Sequence, residues 1–173
     1  MSADEKTVYL SLGSNLGDRE ANLKRAIELL SHKVRLGLVS SICETEPVGN
    51  IGQPKFLNLA CQVFTWLAAK DLLALNKGIE SRMGRAPNTS NLPRSIDIDI
   101  LFYGSDVINT AELTIPHPRM AERAFVLVPL NEVAPELVHP VSGKTVAQML
   151  KEVTGIQGVE NGRVKKLYNN RSW

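Results

Sequence analysis

The segment that most constrains the fold alternates apolar and acidic side chains, which predicts a β-strand with two different faces over residues 93–102. Its apolar face is formed by Ile96, Ile98, Ile100 and Phe102. Asp97 and Asp99 share the other face, roughly 7 Å apart at Cα. Aspartate is depleted in strands and like charges on one face repel, so a bound cation is one explanation for the pair. With Arg94 just upstream, the pattern favours a magnesium–polyphosphate site. The alternative is a solvated strand face that carries two acids.

The order of the predicted elements is β-α-β-β-α-β. Strands are predicted at 7–12, 34–45, 56–66 and 96–102, and amphipathic helices at 19–33 and 70–83. Residues 46–54 and 85–92 are predicted loops, and a last helix is predicted at 145–153. This order is typical of an α+β, ferredoxin-like sandwich, with an antiparallel sheet and helices packed on one face. The other face would then be free to build a site.

Composition indicates one globular domain. A chain of 173 residues that is 43% hydrophobic is long enough for a proper core, and we predict a domain over residues 1–159 followed by a polar tail, 160–173. A net charge of +2 gives no support for nucleic-acid binding. We interpret Cys43 and Cys61 as reduced core residues. Without a signal-like or membrane-spanning segment, we expect a cytoplasmic protein that contacts no membrane. We also expect a monomer.

Two arginines and a histidine are candidate anion ligands. Arg85 and Arg94 bracket the polar loop before the aspartates, and guanidinium groups bind phosphate oxygens in pairs of charge-assisted hydrogen bonds. Surface salt bridges are the alternative for each arginine. His117 lies between two prolines and could bind a phosphate or ribose, or simply a nearby carbonyl of its own turn.

Two phenylalanines and an amide are candidates for holding a flat ring. Phe56 and Asn58 fall on the same face of the predicted third strand, and Phe125 lies near a polar loop. Together they could sandwich a heterocycle and bind its edge. For an isolated phenylalanine, however, packing in the core is the default interpretation.

The chain resembles the 6-hydroxymethyl-7,8-dihydropterin pyrophosphokinase family of the folate pathway. The resemblance runs from Val8 to about Pro140 and rests on six motifs in order. They are YLSLGSNLGDR (9–19), TEPVG (45–49), FLN (56–58), GR (84–85), PRSIDIDILFYG (93–104) and IPHPRMAERAFVLVPL (115–130). The resemblance implies transfer of pyrophosphate from ATP to the hydroxymethyl group of the pterin: the hydroxymethyl oxygen attacks the β-phosphorus, and AMP leaves.

The resemblance also implies a role for each site residue. Asp97 and Asp99 would bind two Mg²⁺ ions between the phosphates of ATP. Residues implied for the pterin are Thr45, Val48, Phe56, Asn58, Asp97 and Phe125. Residues implied for ATP are Glu80, Arg85, Arg94, Ile100, Thr114, His117 and Arg123. Catalysis would rest on Arg85, Arg94, Asp97 and Asp99.

The chain departs from the family's pattern at three places. Pro87 stands where a second arginine is common, Asn91-Leu92 where an aromatic residue precedes the Pro-Arg pair, and Pro118 where an aromatic residue follows the histidine. We therefore expect the 85–92 loop to close over ATP with contacts of its own. Two other functions fit the same predicted fold: another two-metal nucleotide-dependent transferase, and a ferredoxin-like binding module.

Overall fold

The computed structural model describes residues 4–45, 54–84, 93–157 and 164–166, and four helices and eight strands lie within them. The strands are β1 (Lys6–Ser14), β2 (Arg35–Val39), β3 (Cys43–Thr45), β4 (Phe56–Thr65), β5 (Asp97–Tyr103), β6 (Ile108–Asn109), β7 (Thr114–Ile115) and β8 (Val164–Lys166). The helices are α1 (Arg19–Ser31), α2 (Ala69–Arg82), α3 (Ala124–Val133) and α4 (Val146–Gln157), with a short 3₁₀ turn at Met120–Glu122.

An antiparallel sheet forms the centre of the fold. Its strand order is β5-β1-β4-β3-β8, and β2 also pairs with β4. Every pairing in it is antiparallel. The predicted α+β class with an antiparallel sheet is therefore confirmed. Because β1 lies between β5 and β4, it fixes the register between the strand that carries the aspartates and the strand that carries Phe56 and Asn58.

The predicted second strand is interrupted and forms β2 and β3. Val39 is opposite Cys61 and Cys43 is opposite Asn58, so four steps along this chain match three steps along β4. The extra residue is accommodated at Ser40, whose N–H donates to the carbonyl of Ala60 and whose Oγ accepts the N–H of the same residue. A hydroxyl side chain thus replaces one backbone acceptor of the ladder, as at a β-bulge.

The first apolar layer lies between the sheet and the two predicted helices. Alternate residues of β1, β4 and β5 pack against α1 and α2, with Leu10, Leu23, Leu59, Leu72 and Ile98 all buried. Asp18 caps the start of α1 by accepting the N–H of Ala21 through its carboxylate. Gly84 follows the end of α2 with φ +92°, a conformation that glycine adopts without strain.

A second apolar layer covers part of the opposite face, which corrects the prediction of helices on one face only. Helices α3 and α4 pack there on the other side of the same strands. This layer includes Tyr9, Ala60, Leu101, Phe102, Leu127, Leu130, Val146 and Met149. The site face is therefore open only where α3 and α4 do not reach.

Phe102 belongs to this second layer and not to the face of Ile98 and Ile100, so its predicted position was wrong. Tyr9 is opposite Phe102 while Leu10 is opposite Ile100, which leaves Leu101 as an extra residue in β5. A bulge of one residue turns every following side chain to the other face. Phe102 consequently packs edge-on against Tyr9, with ring centroids 6.4 Å apart.

Two further pairings were not predicted. Strands β6 and β7 form a small hairpin beside β5. Three residues of the predicted polar tail form β8, which pairs with β3 and covers its outer edge. The division of the chain at residue 159 remains a prediction. In the described part of the chain, no helix is long and apolar enough to cross a bilayer.

We expect Phe102→Ala to lower the free energy of unfolding by about 3–5 kcal/mol, because it empties the centre of the second layer. Trp66→Ala removes an aromatic ring that is 63% exposed and should change stability by no more than about 0.5 kcal/mol. Urea denaturation of both variants measures the difference. Equal small losses would mean that α3 and α4 do not form a packed layer on this face.

Candidate active site

A row of three residues across the sheet defines the centre of the site. Gly13 of β1 is opposite Asp97 on β5 and opposite Asn58 on β4. Residues directly opposite each other on antiparallel strands project from the same face. A Cβ atom at Gly13 would lie 2.7 Å from Asn58 Oδ1, so a side chain here would displace the amide. The glycine therefore leaves a gap between a carboxylate and an amide.

In the neighbouring row across the sheet, an aspartate again lies beside two small residues. Asp99 is opposite Ser11, and Ser11 is opposite Ala60. Ala60 is fully buried and packs in the layer under α3. The open part of the face thus extends over both aspartates and ends at α3.

The amide of Asn58 is held by a hydroxyl from the neighbouring strand. Asn58 Nδ2 donates to Thr45 Oγ1 over 2.8 Å, and both residues are 4% exposed. Phe56 is half-buried two residues before Asn58 and lies opposite Thr45. Three of the residues predicted for the pterin are therefore adjacent. Val48, the fourth predicted from this region, lies outside the described residues.

Arg94 connects the aromatic wall to the acids. Its Nη1 lies 3.4 Å from Asp97 Oδ2, and its Cζ lies 5.5 Å from the centre of the Phe56 ring. A guanidinium over an aromatic face is a favourable cation–π arrangement. The charge of Arg94 is thus positioned between the place where a ring could stack and the place where phosphates could bind. Arg85 lies outside the described residues.

Asn15, which was not predicted as a site residue, fixes the backbone of Arg94. The N–H of Arg94 donates to Asn15 Oδ1 over 2.7 Å, and the N–H of Asn15 donates to the carbonyl of Arg94 over 3.1 Å. Asn15 Nδ2 also lies 3.4 Å from the carbonyl of Pro54, just before β4. One buried amide therefore holds the entry to β5 and the entry to β4 together.

The first strand was predicted to end at residue 12, but β1 continues through Gly13 to Ser14. A glycine inside a strand often marks a close approach of backbone or ligand, so the continuation of the strand through Gly13 was the missed signal for the centre of the site. Asn15 gave no comparable signal, because a turn residue of this type needs no tertiary partner.

Electrostatics make Asp99 the least stable charge of the site. Burial, with the negative charges of Asp97 and Glu80, raises the pKa of Asp99 to about 7, while Lys77 and Arg123 act against this rise. Partial burial removes hydration that an ionised carboxylate needs, and like charges add to the cost. A cation beside Asp99 would remove that cost.

The two aspartates fit magnesium bound together with a polyphosphate. Among the residues that the structure describes, no group of three or more histidine, cysteine, aspartate or glutamate side chains could form a complete metal cage. Mg²⁺ in nucleotide enzymes is commonly held by one or two carboxylates, with substrate phosphates and water as the other ligands. Asp97 and Asp99 supply such an oxygen-only pair on one strand face.

Glu80 lies behind the aspartates, at the outer edge of the sheet. It is 3% exposed, and its Oε2 accepts the N–H of Ile98 over 2.8 Å. Lys77 Nζ lies 3.5 Å from the other oxygen. Because alternate residues of an edge strand point their backbone groups outward, Ile100 presents its N–H and carbonyl along the same edge. The side chain of Ile100 is in the core, so only its backbone is available to a nucleotide.

A cavity of about 350 Å³ lies further along this edge. It is lined by Ala69, Lys70 and Leu73 of α2 and by residues 108 and 110–113 of the β6–β7 hairpin. Leu73 precedes Glu80 by two helical turns, or about 10 Å. Thr114 follows the cavity lining directly in β7 and is partly exposed. The cavity is thus remote from the aspartates and lies between α2 and the hairpin.

His117 follows the hairpin with a fixed backbone. Its N–H donates to the carbonyl of Leu101 over 3.0 Å, and its Nδ1 accepts the N–H of Arg119 over 3.3 Å. Burial and the positive charge of Arg123 lower the pKa of His117. Because Nδ1 accepts a hydrogen bond, the neutral form of the ring carries its proton on Nε2, where it can donate to an anion.

Arg123 and Phe125 complete the site from the start of α3. Arg123 interacts electrostatically with Asp99 and Asp97, while burial and Arg119 lower its pKa. Its Cζ lies 5.5 Å from the centre of the Phe125 ring. Phe125 is half-buried, so part of its surface remains available. A second cation–aromatic pair therefore lies at the α3 end of the open face.

Comparison with known proteins identifies the family. The model of the 7,8-dihydro-6-hydroxymethylpterin-pyrophosphokinase family matches residues 9–135. The chain belongs to this family. The family predicted from the six motifs is therefore confirmed.

Individual relatives of the pyrophosphokinase family agree. The chain is 45% identical over 131 residues to 2-amino-4-hydroxy-6-hydroxymethyldihydropteridine pyrophosphokinase of Bacillus subtilis, covering 75% of this chain and 78% of that protein. It is 42% identical over 153 residues to the folic acid synthesis protein fol1 of Pneumocystis carinii, which covers 88% of this chain. The chain spans only 21% of the length of that second relative.

A solved structure supports the fold. The HPPK-DHPS protein of Plasmodium falciparum superimposes with a TM-score of 0.77 over 96% of this chain and 49% of its own, at 17% sequence identity. At that level of identity the likeness concerns the fold alone.

We expect Asp99→Asn to stabilise the ligand-free protein at neutral pH. The carboxyl is harder to ionise in the folded protein than in the unfolded chain, so the contribution of Asp99 to stability is present below about pH 4 and is lost as the pH rises through about 7. The stability of the variant relative to the wild type should therefore rise over this range by on the order of 2–4 kcal/mol. Urea denaturation at pH 4, 6 and 8 without divalent cations measures it. A difference that does not change with pH would contradict this account of Asp99.

Proposed function

We propose that this protein transfers the pyrophosphoryl group of ATP to the hydroxymethyl group of 6-hydroxymethyl-7,8-dihydropterin and releases AMP. One observation carries the proposal: the Asp97–Gly13–Asn58 row places a metal-binding type of carboxylate beside an amide across a glycine gap. A polyphosphate and a flat ring can therefore occupy neighbouring positions on one face. The family membership supplies the class of reaction.

The pterin would lie between Phe56 and Phe125, above Gly13. Each stacking contact is worth about 0.5–1.5 kcal/mol beyond burial. Asn58 would bind the edge of the ring, since an amide both donates and accepts and its Nδ2 is already oriented by Thr45. Val48 would contribute through its backbone. Asp97 would lie beside the hydroxymethyl group that reacts.

ATP would lie along the groove between α2 and the β6–β7 hairpin. We place its base at the cavity beside Leu73, its ribose near the backbone of Ile100 and Thr114, and its phosphates over Asp97 and Asp99. The proton on His117 Nε2 and the charge of Arg123 would bind phosphate oxygens. Glu80 would act from the groove wall, where it already holds the N–H of Ile98.

Two Mg²⁺ ions, held by Asp97 and Asp99, would neutralise the phosphate oxygens of ATP. The chain's own contribution is positioning and charge. Arg94 is fixed by Asn15 and would stabilise the negative charge that develops as the bond between the α- and β-phosphates breaks. Arg85 would do the same from the 85–92 loop. The hydroxymethyl proton needs no dedicated base, since it can pass to water.

We also propose that the sheet with α1 and α2 has a ferredoxin-like fold. The β5-β1-β4-β2/β3 strand order with α1 and α2 on one face supports this, and α3 and α4 are additions on the other face. We also propose a cytoplasmic monomer that contacts no membrane. Its small net charge of +2 favours small-molecule ligands over nucleic acid.

We expect the wild type to form AMP from ATP in the presence of Mg²⁺ and 6-hydroxymethyl-7,8-dihydropterin. Asp97→Ala and Asp99→Ala should each lower the rate by about 100-fold or more, because each removes a ligand of a metal that stabilises the transition state by several kcal/mol. Chromatographic detection of AMP, with circular dichroism to verify folding, measures this.

A matched control is Asp106→Ala. This aspartate lies at the opposite end of the sheet, 3.4 Å from Lys6, and its loss should leave the rate within about two-fold of the wild type. AMP formation by both site variants at the wild-type rate would contradict the assignment of the metal ligands. No pterin-dependent AMP formation by the wild type would contradict the proposed function.

A further inference from the structure

A partly buried contact joins the C-terminal end of α3 to the segment that leads into β3. Glu132 Oε1 accepts the Oγ–H of Ser41 over 2.7 Å and the N–H of the same residue over 3.0 Å. Ser41 is 2% exposed and lies in the irregular segment between β2 and β3. Hydrogen bonds to a carboxylate are about twice as strong as neutral ones, so this contact is a firm connection between two elements.

Helix α3 lies across the sheet, and this contact is at one of its two ends. At its start, Arg123 interacts with Asp97 and Asp99 of β5. Its middle packs in one layer with residues of β5, β1 and β4. At its end, Glu132 reaches Ser41 beside β3. The helix therefore borders the open face along its whole width.

Glu132 and Phe125 are seven residues apart on α3. Residues at this spacing lie on the same side of a helix, about 10 Å apart along its axis. Phe125 is the proposed upper wall of the ring pocket, while Phe56 and Asn58 of β4 form the opposite wall. A rotation or shift of α3 would change the gap between the two walls directly.

Thr45 follows Ser41 by four residues, and its Oγ1 accepts a hydrogen bond from Asn58 Nδ2. The segment between them includes β3, which pairs with β4 through Cys43 and Asn58. A displacement of Ser41 would therefore pass along an extended strand to the amide that is proposed to bind the ring edge. The Glu132–Ser41 contact thus connects the α3 wall to the β3–β4 wall of the pocket.

We propose that Glu132 is a positioning residue that sets the width of the pterin pocket through Ser41. The inference rests on the proposed function, since it assigns specificity to the same site. Glu132 touches neither substrate nor metal in this account. Its effect on the pterin exceeds its effect on ATP. Phe125 lies within α3, whereas the other residues proposed for ATP, apart from Arg123 at the start of the helix, lie on or beside α2, β5 and the hairpin, which the contact does not join.

The test compares Michaelis constants for the two substrates. Glu132→Ala should raise KM for 6-hydroxymethyl-7,8-dihydropterin by about ten-fold or more, while KM for ATP changes by less than about two-fold. Glu132→Gln keeps an acceptor oxygen for both donors and should recover most of the pterin affinity. Ser41→Ala keeps the backbone hydrogen bond and should show an intermediate effect, which retains the test if Glu132→Ala does not fold.

The matched control is Glu152→Ala. It removes another glutamate contact, the exposed 2.9 Å ion pair between Glu152 on α4 and Lys144 just before that helix. It should alter neither the KM for the pterin nor the KM for ATP. Equal increases in KM for pterin and ATP, or no increase in any variant, would overturn the positioning role. These outcomes are distinct from failure of the proposed function, which would appear as no pterin-dependent AMP from the wild type.

Discussion

The site depends on the two antiparallel pairings that β1 makes. They bring Asp97 and Asn58 opposite the same glycine, although the two residues are far apart in sequence. A slip of one residue in either pairing would turn a whole strand over and place the acid or the amide in the core. The apolar residues of β1 prevent such a slip, since Leu10 and Leu12 must remain buried against α1 and α2. Core packing therefore fixes the geometry of the site.

The closely spaced acidic side chains of the site destabilise the protein when no ligand is bound. Burial, with the nearby negative charges of Asp97 and Glu80, raises the pKa of Asp99. Arg94 and Arg123 compensate from either end of the open face, each beside an aromatic ring. Mg²⁺ ions bound together with ATP would reduce the repulsion between these carboxylates. Ligand binding would therefore stabilise the charged form of the site, which is common where a site is preorganised for a charged transition state.

Local sequence patterns predicted the strand that carries the aspartates and the helix α2. The alternation around Asp97 and Asp99 gave the correct strand and face, and the spacing of Leu72 and Ile79 gave α2. The position of Phe102 could not be predicted in this way, because the bulge at Leu101 arises from pairing with β1. The short apolar run of α3 fits either a helix or a strand, so periodicity alone does not assign it. Asn15 and Glu132 act through partners 79 and 91 residues away, which no local pattern reports.

A crystal structure of the protein with Mg²⁺, a non-hydrolysable ATP analogue and 6-hydroxymethyl-7,8-dihydropterin would locate both substrates. We expect the pterin ring over Gly13, between Phe56 and Phe125, with its edge on Asn58. We also expect the metal on Asp97 and Asp99, and the base in the cavity beside Leu73. A pterin bound away from the Asp97–Gly13–Asn58 row, or phosphates that do not approach the two aspartates, would contradict the proposed site.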